Sequence, residues 1–433
     1  MNRRLFLSSI TSSFITATGC LGQWRDEQRE SVGEVKCVDK TDSSKPEKTV
    51  SSVTGDWPSP QFDAQNTAFN PDASGFRECP EKRWQFRVNV EEPRNVVNYG
   101  VQSPPVLHDG TLFVCDNENE LYAVDATTGE ITWTAGLPGW FIYGPTYADG
   151  VLYLTADRHL QAISVQSRSE RWRRTPPSPN GRTEKDDQAW MPAAPAVYDG
   201  RIYVGTANGI FCTFEADSGE LVWFQSIPER RPPQDDGTSG FNESNVFSGQ
   251  PAVTEEVVCV SNKNGRLYAF DTESGDRRWV FRAKDRLDTA PVIYGNLVHV
   301  TGASGIYAVS LSTGELVWSY KTRDSFTSAA PAIANDVLIT VAGDDFPNRN
   351  LVALNATTGD LLWELPAFIG LEANPSIADG TVVVGIEHGV LAVRLDSGER
   401  LWRIRSEQLP GAPVLVDGTV FVGDSDGYVY AIR

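Results

Sequence analysis

Histidines and cysteines are common bases, nucleophiles and metal ligands, but in this chain their spacing matches no catalytic or metal motif. None of the histidines lies in a His-Glu-x-x-His motif, and no two cysteines have the Cys-x-x-Cys spacing of a zinc site. Such isolated histidines are typical of strand and turn positions. We therefore predict a structural role for His108, His159, His299 and His388.

Acidic and amide side chains in predicted loops would suit calcium, which prefers carboxylate and amide oxygens. The candidate ligands are Glu243, Asn245, Glu372 and Asn374. Because carboxylates are abundant throughout the chain, we attribute this group to chance and predict no metal site. Asp424 and Asp426 also resemble calcium ligands, but they occupy the register of a hairpin turn found in other repeats, so we interpret them as turn residues.

The charge balance excludes some classes of partner. The 433 residues include 38 Lys+Arg and 57 Asp+Glu, which gives a formal net charge of −19. Such a surface repels nucleic-acid phosphates and anionic lipid headgroups, so we expect no nucleic-acid partner. With 12 Trp, 26 Pro and only 2 Met, the composition favours short strands and turns over long helices.

The first twenty residues predict an export signal. Arg3 and Arg4 resemble a twin-arginine signal, and the apolar stretch after them is too short to span a bilayer. Ala17-Thr18-Gly19-Cys20 resembles a lipobox, in which the chain is cut before the cysteine and the thiol carries lipid. We predict a signal over residues 1–19 and lipid on Cys20 as the only membrane contact, at the outer face of the cytoplasmic membrane. An ordinary signal peptide with a coincidental cysteine is the alternative.

Two further segments follow the signal. Residues 20–55 are polar and lack periodic apolar positions, which predicts a solvated stalk, and residues 56–433 form the predicted folded domain. In an oxidising compartment Cys37 and Cys79 could pair and hold the stalk to the domain. The alternative is that the cysteines are buried free thiols.

A repeated segment determines the fold class. Asp125–Trp133, Glu215–Trp223 and Asp271–Trp279 each place a glycine four residues and a tryptophan eight residues after an acidic residue. The tryptophans recur every 45 residues or so, about the length of a four-stranded propeller blade. These blade-docking residues are Trp84, Trp133, Trp172, Trp223, Trp279, Trp318, Trp363 and Trp402.

The two ends of the domain complete one unit. Ala412–Arg433 has three predicted strands and lacks the Trp strand, whereas Arg83–Val88 is a Trp strand with no preceding strands. We therefore predict an all-β, eight-bladed β-propeller of four-stranded antiparallel blades, closed by pairing the N-terminal Trp strand with the C-terminal blade. We expect this propeller to be monomeric.

The repeat resembles a known family. Ala-x-Asp-x-x-x-Gly-x-x-x-Trp at Ala123–Trp133 and Ala269–Trp279 is similar to the tryptophan-docking motif of the pyrroloquinoline quinone (PQQ) repeat propellers. Asp56-Trp57-Pro58 and Asn66-Thr67 are similar to that family's N-terminal lead-in. The resemblance covers residues 56–433 and implies that each tryptophan packs between neighbouring blades. The acidic, lysine-poor composition is similar to that of proteins from salt-loving archaea.

The resemblance implies two possible functions. The family contains quinoprotein alcohol dehydrogenases, which use adjacent bonded cysteines, an Asp base and calcium held by Glu and Asn, and also non-catalytic lipoproteins of outer-membrane barrel assembly. This chain has no adjacent cysteines. We therefore predict a binding or scaffold module for a protein or glycan partner, without cofactor or catalysis. The alternative is a PQQ- and calcium-dependent dehydrogenase of alcohols or sugars.

Three long connections follow Trp strands and are expected on one face of the disc: Gln85–Ser103, Arg173–Ala194 and Phe224–Gln250. Aromatic and charged residues on loops above a rigid scaffold are typical of binding faces. Loops that simply cover the channel are the alternative. The predicted binding face comprises Tyr99, Trp190, Met191, Arg230, Arg231, Phe241, Asn242, Glu243, Asn245, Phe247, Glu372 and Asn374.

Overall fold

The computed structural model describes most of the predicted domain. The described residues are 49–50, 53–74, 79–88, 101, 103–116, 118–138, 142–177, 190–227, 246–322, 329–343, 349–366, 374–386, 389–406 and 410–433. They contain 33 β-strands, and no helix occurs among them. A search of the same residues finds no helix with the length and hydropathy needed to cross a membrane. The predicted signal and most of the predicted stalk lie outside the described residues.

The strands are numbered in chain order, and the first strand of each blade is innermost. Two strands precede the first complete blade, β1 (Phe69–Asn70) and β2 (Lys82–Arg87). Blades 1 and 2 comprise β3 (Val106–His108), β4 (Thr111–Cys115), β5 (Glu120–Asp125), β6 (Ile131–Gly136), β7 (Ile142–Ala148), β8 (Val151–Ala156), β9 (His159–Ser164) and β10 (Ser169–Arg174). Blades 3 and 4 comprise β11 (Ala196–Tyr198), β12 (Arg201–Gly205), β13 (Ile210–Glu215), β14 (Leu221–Ser226), β15 (Phe247–Val253), β16 (Val257–Asn262), β17 (Arg266–Asp271) and β18 (Arg277–Arg282).

The second half repeats this order. Blades 5 and 6 comprise β19 (Val292–Tyr294), β20 (Leu297–Gly302), β21 (Gly305–Ser310), β22 (Leu316–Lys321), β23 (Ala332–Ala334), β24 (Val337–Gly343), β25 (Arg349–Asn355) and β26 (Leu361–Pro366). Blades 7 and 8 comprise β27 (Ser376–Ala378), β28 (Thr381–Ile386), β29 (Gly389–Arg394), β30 (Arg400–Arg405), β31 (Val414–Val416), β32 (Thr419–Gly423) and β33 (Tyr428–Ile432), followed in space by β2.

Blade 8 is built from both ends of the domain. Strand β2 pairs antiparallel with β33, with Trp84 opposite Ala431 and Arg87 opposite Tyr428. Glu81 and Arg433 extend this pairing, because each backbone N–H donates to the other residue's carbonyl. The prediction of an eight-bladed ring closed by the N-terminal Trp strand is therefore confirmed.

The repeat tryptophans pack onto the next blade. Trp84 Nε1 donates to the Ala126 carbonyl at 3.0 Å, and its ring covers Gly129, where an added Cβ would lie 2.7 Å from Trp84 Cδ2. Because Gly129 also has a φ of 76°, both space and backbone conformation require glycine. The same pairing recurs for Trp172 on Gly219, Trp223 on Gly275, Trp279 on Gly314, Trp318 on Gly359 and Trp363 on Gly398.

Two tryptophans meet blades that lack this glycine. Trp133 packs against blade 2, whose turn carries Arg168 with a φ of 55°. Trp402 packs against blade 8, where the junction of the two chain ends replaces the turn between the third and fourth strands. The degenerate second repeat and the ring closure thus account for both exceptions.

The apolar core lies between neighbouring blades, and the chain joins it earlier than the sequence predicts. Val50 and Val53 are buried in the cluster shared by blades 7, 8 and 1. The Val50 N–H donates to the Thr127 carbonyl at 2.9 Å. The predicted stalk boundary at residue 55 is therefore wrong, since packing begins by Val50.

Candidate binding face

The ring has two different faces. One face, called the turn face, carries two turns of each blade. The first joins strands one and two, as at Asp109-Gly110, and the second joins strands three and four, as at Asp125–Gly129. The loop face carries the turns between the second and third strands and the connections that join consecutive blades. Each blade-to-blade connection therefore emerges on the loop face.

A segment before the first blade, Trp57–Asn70, circles the channel and is called the lead-in below. Its backbone carbonyls accept hydrogen bonds of 2.6–2.9 Å from the innermost strands of blades 1, 2, 4, 5, 6 and 7 in that order. Strand β1 within it pairs parallel with β27, and Asn70 Nδ2 donates to the Leu415 carbonyl of blade 8 at 3.0 Å. The acceptor carbonyls belong to Trp57, Pro58, Ala64, Gln65, Thr67 and Ala68.

The lead-in occupies the turn-face end of the channel. At about 3.4 Å per residue it reaches at most about 48 Å, the circumference of a circle of about 8 Å radius. It lies beside the turns between first and second strands, because Asp56 Oδ1 accepts from the Asp109 N–H at 3.1 Å. Side chains of the lead-in are buried there, including those of Trp57, Gln61 and Asn66.

Asn66 anchors the lead-in to two blades at once. Its Nδ2 donates to the carbonyls of Gln250 in blade 4 at 2.9 Å and of Pro291 before blade 5 at 3.0 Å. The residue has a φ of 64°, a conformation that asparagine tolerates better than most residues. A completely buried amide with two acceptors favours one position of the lead-in.

The chain reaches the ring on the turn face near blade 8. Asp417 Oδ2 accepts hydrogen bonds from the backbone N–H groups of Thr54 and Gly55 at 2.8 and 3.0 Å. Cys79, three residues before β2, is disulfide-bonded. Its partner lies outside the described residues, so the pairing with Cys37 stays a prediction.

The described part of the predicted binding face includes an aromatic pair. Trp190 stacks on Tyr143 with ring centroids 6.5 Å apart and an interplanar angle of 27°. The Trp190 carbonyl accepts from the Ala207 N–H, and the Met191 N–H donates to the Asp157 carbonyl. Both bonds join turns of the loop face, so the pair lies on that face. The sequence analysis missed Tyr143, which lies in strand β7.

Three predicted face residues have other roles. Met191 and Phe247 are each 1% exposed, which corrects their assignment to a contact surface. Phe247 packs in the space that Gly205 leaves open and against Phe211 at 5.6 Å. Asn374 Oδ1 accepts from the Ala330 N–H at 2.8 Å and so links blades 6 and 7. The predictions that lie outside the described residues concern Cys20, Tyr99, Arg230, Arg231, Phe241, Asn242, Glu243, Asn245 and Glu372.

The buried aspartates of the loop face act as turn residues. Asp424 Oδ1 accepts from the N–H groups of Asp426 and Tyr428, both at 2.9 Å, and Oδ2 accepts from Tyr430 Oη at 2.7 Å. Burial raises the pKa of Asp424. Asp116 has the same contacts in blade 1. Within the described ranges, no three His, Cys, Asp or Glu side chains cluster as metal ligands.

One serine has the spacing of a hydrolase nucleophile and was missed in the sequence analysis. Gly423-Asp424-Ser425-Asp426-Gly427 matches Gly-x-Ser-x-Gly. That motif activates serine at a turn from strand to helix, whereas this segment joins the antiparallel strands β32 and β33. The described histidines His108, His159 and His299 belong to blades 1, 2 and 5, so none of them shares blade 8 with Ser425, and His388 lies outside the described residues.

Comparison with known proteins identifies the family. The PQQ-repeat family model described as outer membrane protein assembly factor BamB matches residues 80–320 and 232–433. The chain belongs to this family. Among its relatives, BamB of Yersinia pestis is 23% identical over 303 residues, which cover 66% of this chain and 72% of the relative.

Two further relatives represent both predicted branches. Quinoprotein alcohol dehydrogenase PedH of Pseudomonas putida is 33% identical over 137 residues, which cover 28% of this chain and 23% of PedH. The crystal structure of BamB from Moraxella catarrhalis superposes with a TM-score of 0.63 at 16% identity, covering 82% of this chain and 99% of that protein. The structural likeness shows a shared propeller fold.

Proposed function

We propose that the protein is an exported, lipid-anchored propeller that binds a protein or glycan partner on its loop face and catalyses no reaction. One observation carries the proposal: the lead-in occupies the turn-face end of the channel, and the chain attaches to the ring on that same face. The loop face is thereby left for a partner. Similarity to an outer membrane protein assembly factor supports a protein partner.

The long connections provide the variable part of this face. Rigid blades hold the ends of residues 178–189 and 228–245, and the stacked pair of Trp190 and Tyr143 lies next to the first of them. Aromatic side chains carry much of the energy of many protein interfaces, because they bury a large area and lose few rotamers. The half-buried Trp190 is accordingly the described residue best placed for contact.

Removal of one loop tests the binding proposal. Residues 228–245 are replaced by a short Gly-Ser linker, and complexes are crosslinked in membranes and isolated. We expect the partner to be lost with the loop and retained in Asp217→Arg, a control on the turn face where the side chain is 96% exposed. Mass spectrometry identifies a protein partner, and sensitivity to periodate identifies a glycan. Retention of every partner after loop removal would refute the proposal.

The lipid anchor is tested separately. We expect Cys20→Ser to move the protein from the membrane fraction to the soluble fraction after export, because the acylated thiol is the proposed attachment. Mass analysis of the mature N-terminus should show acyl chains on Cys20 in the unsubstituted protein. An unmodified Cys20 would contradict the anchor while leaving the loop-face proposal intact.

The dehydrogenase alternative is favoured by one observation, the 33% identity to a segment of PedH. Its candidate calcium ligands Glu243, Asn245 and Glu372 lie outside the described residues, and Asn374 already accepts a backbone hydrogen bond. The test is oxidation of alcohols or sugars by purified protein supplied with PQQ and calcium. Turnover that disappears in Glu372→Gln would replace the binding proposal with this alternative.

A further inference from the structure

The chain contains two Asn-x-Ser/Thr sequences whose middle residue is not proline, Asn242-Glu243-Ser244 and Asn355-Ala356-Thr357. In an exported protein this pattern marks asparagines that can receive a glycan on the side-chain nitrogen. The first sequence lies outside the described residues. The second lies in the turn between β25 and β26 of blade 6, on the turn face. Its contacts show whether the nitrogen is available.

The Asn355 side chain is held by its oxygen and free at its nitrogen. Its Oδ1 accepts hydrogen bonds from the backbone N–H groups of Thr357 at 3.0 Å and Thr358 at 2.8 Å. Because both partners are donors, the oxygen faces them and Nδ2 faces away from the turn. Within the described ranges Nδ2 donates no hydrogen bond, and it is not among the unpaired side-chain nitrogens that are closed off from solvent. The atom that would carry a glycan is therefore accessible.

The turn holds both groups of the acceptor sequence at the surface. Its backbone is fixed by two hydrogen bonds of 2.8 Å, from the Asn355 N–H to the Asp360 carbonyl and from the Gly359 N–H to the Asn355 carbonyl. Thr357, which supplies the hydroxyl of the sequence, is exposed. Thr358 instead donates its hydroxyl to Asp360 Oδ2 at 2.7 Å. The amide and the hydroxyl of the acceptor sequence are thus both accessible on a folded turn.

The turn itself does not require asparagine. In blade 1, Asp125 Oδ1 accepts from the N–H groups of Thr127 and Thr128 at 2.8 and 2.9 Å, which are the same two contacts. Asp271 makes them in blade 4. A carboxylate therefore serves the turn as an amide does, and what Asn355 adds is an unpaired NH₂ group. The equivalent residues of the other blades are Asp125, Ser164, Glu215, Asp271, Ser310 and Arg394.

Blades 5 and 6 also have unusually apolar outer strands. Among the described residues, four of the seven exposed large apolar side chains lie on these two neighbouring strands, each 48–53% exposed: Leu316, Val317, Leu361 and Leu362. Strands β22 and β26 have one charged residue each, whereas the outer strands of blades 2, 4, 7 and 8 have three or four. Charged residues protect an exposed sheet edge from association, so the edges of blades 5 and 6 need another form of protection.

The turn that carries Asn355 touches both apolar strands. Gly359 lies under the ring of Trp318, where an added Cβ would be 2.6 Å from Trp318 Cδ2, and Trp318 directly follows Leu316 and Val317 in β22. In blade 6, Leu361 is paired with Leu354, the residue before Asn355. A glycan on Asn355 would therefore extend over the boundary between the two apolar edges.

We propose that Asn355 carries an N-linked glycan that shields the apolar outer strands of blades 5 and 6. The proposal rests on the proposed export, and the donor is a lipid-linked oligosaccharide phosphate. In the transfer, Asn355 Nδ2 forms a bond to the anomeric carbon of the first sugar and loses one proton. The bond between that carbon and the phosphate oxygen breaks, and the leaving phosphate keeps its electron pair. A glycan on the turn face leaves the loop face open to a partner.

Mass spectrometry of the protein isolated from its native membranes tests the site. We expect the peptide that contains Asn355 to carry the added mass of sugars. Asn355→Asp should abolish the modification while keeping the turn, because aspartate makes the same contacts in blades 1 and 4. Thr357→Ala should abolish it by removing the hydroxyl of the acceptor sequence. Thr358→Ala is the matched control, since it changes the neighbouring threonine outside that sequence and should keep the glycan.

A dye that fluoresces on apolar surfaces tests the shielding. Asn355→Asp should bind more dye than the glycosylated parent protein, and adding Val317→Thr and Leu361→Thr to that variant should remove the increase. Thermal unfolding shows that each variant is folded. Equal dye binding by Asn355→Asp and the parent protein would overturn the shielding role.

The modification and the proposed export fail in distinguishable ways. An unmodified Asn355 in protein found outside the cytoplasm would overturn this proposal alone. An unmodified Asn355 in protein that stays in the cytoplasm would overturn the proposed export as well. A glycan confined to Asn242 would overturn the assignment to Asn355.

Discussion

His299 should make the propeller lose stability as the pH falls from neutral to mildly acidic values. The imidazole is completely buried in blade 5, and its Nε2 lies 2.8 Å from the Ala356 carbonyl of blade 6. Trp318 Nε1 donates to the same carbonyl at 3.1 Å. Burial lowers the pKa of His299 from 6.5 to about 4, because the charged form loses its hydration.

The sign and size follow from proton linkage. Between the two pKa values the unfolded chain binds more protons than the folded one, so the stabilisation is complete above pH 6.5 and is lost as the pH falls towards 4. At about 1.4 kcal/mol per pKa unit, the full loss is about 3 kcal/mol, of which about 2 kcal/mol is lost by about pH 5.

Urea unfolding followed by tryptophan fluorescence measures this loss. His299→Gln keeps a neutral donor and should lower the pH dependence between about pH 8 and pH 5 by about 2 kcal/mol relative to the parent protein. Trp318→Phe removes the neutral donor to the same carbonyl, so it should lower stability at every pH and leave the pH dependence unchanged. An unchanged pH dependence in His299→Gln would refute the assignment.

Three further predictions concern packing and thiols. Gly275→Ala should lower the free energy of unfolding by about 2 kcal/mol or more, because the added Cβ would lie 2.5 Å from Trp223 Cδ2. Gly200 is the control: its φ of 70° is similar, but an added Cβ would meet nothing within 4 Å, so Gly200→Ala should cost only about 1 kcal/mol. Asn66→Ala should cost about 2–4 kcal/mol through two orphaned carbonyls in thermal or urea unfolding, whereas Gln65→Ala, which keeps its backbone bond, should be nearly neutral. Burial raises the pKa of the free thiols of Cys115, Cys212 and Cys259. They should therefore react with a thiol reagent only after unfolding, and rapid reaction of the folded protein would contradict their placement.

The sequence predicts the ring well because its constraint is local and repeated. Gly129 has a positive φ and lies under the Trp84 ring, where no side chain fits. The conserved spacing of Gly and Trp in the repeat therefore indicates how neighbouring blades pack. The spacing also predicts the pairing of β2 with β33. These features require no knowledge of distant side chains.

The binding face is predicted less well because burial depends on distant partners. Phe247 follows a long connection and reads as a loop residue, but Gly205 and Phe211 of the preceding blade bury it. The lead-in was recognised only as a resemblance, since its partners are backbone groups on separate strands.

The lead-in has a consequence for the evolution of a repeat protein. Tandem units are easily duplicated or deleted by recombination, and each such event would change the size of the disc. Here the lead-in runs once around the channel, with hydrogen bonds that follow in order to blades 1, 2, 4, 5, 6, 7 and 8. In a ring of nine blades, the lead-in would be too short to reach every innermost strand. In a ring of seven blades, the channel would be narrower and part of the lead-in would have no place in it. The length of the lead-in is therefore matched to a ring of eight units.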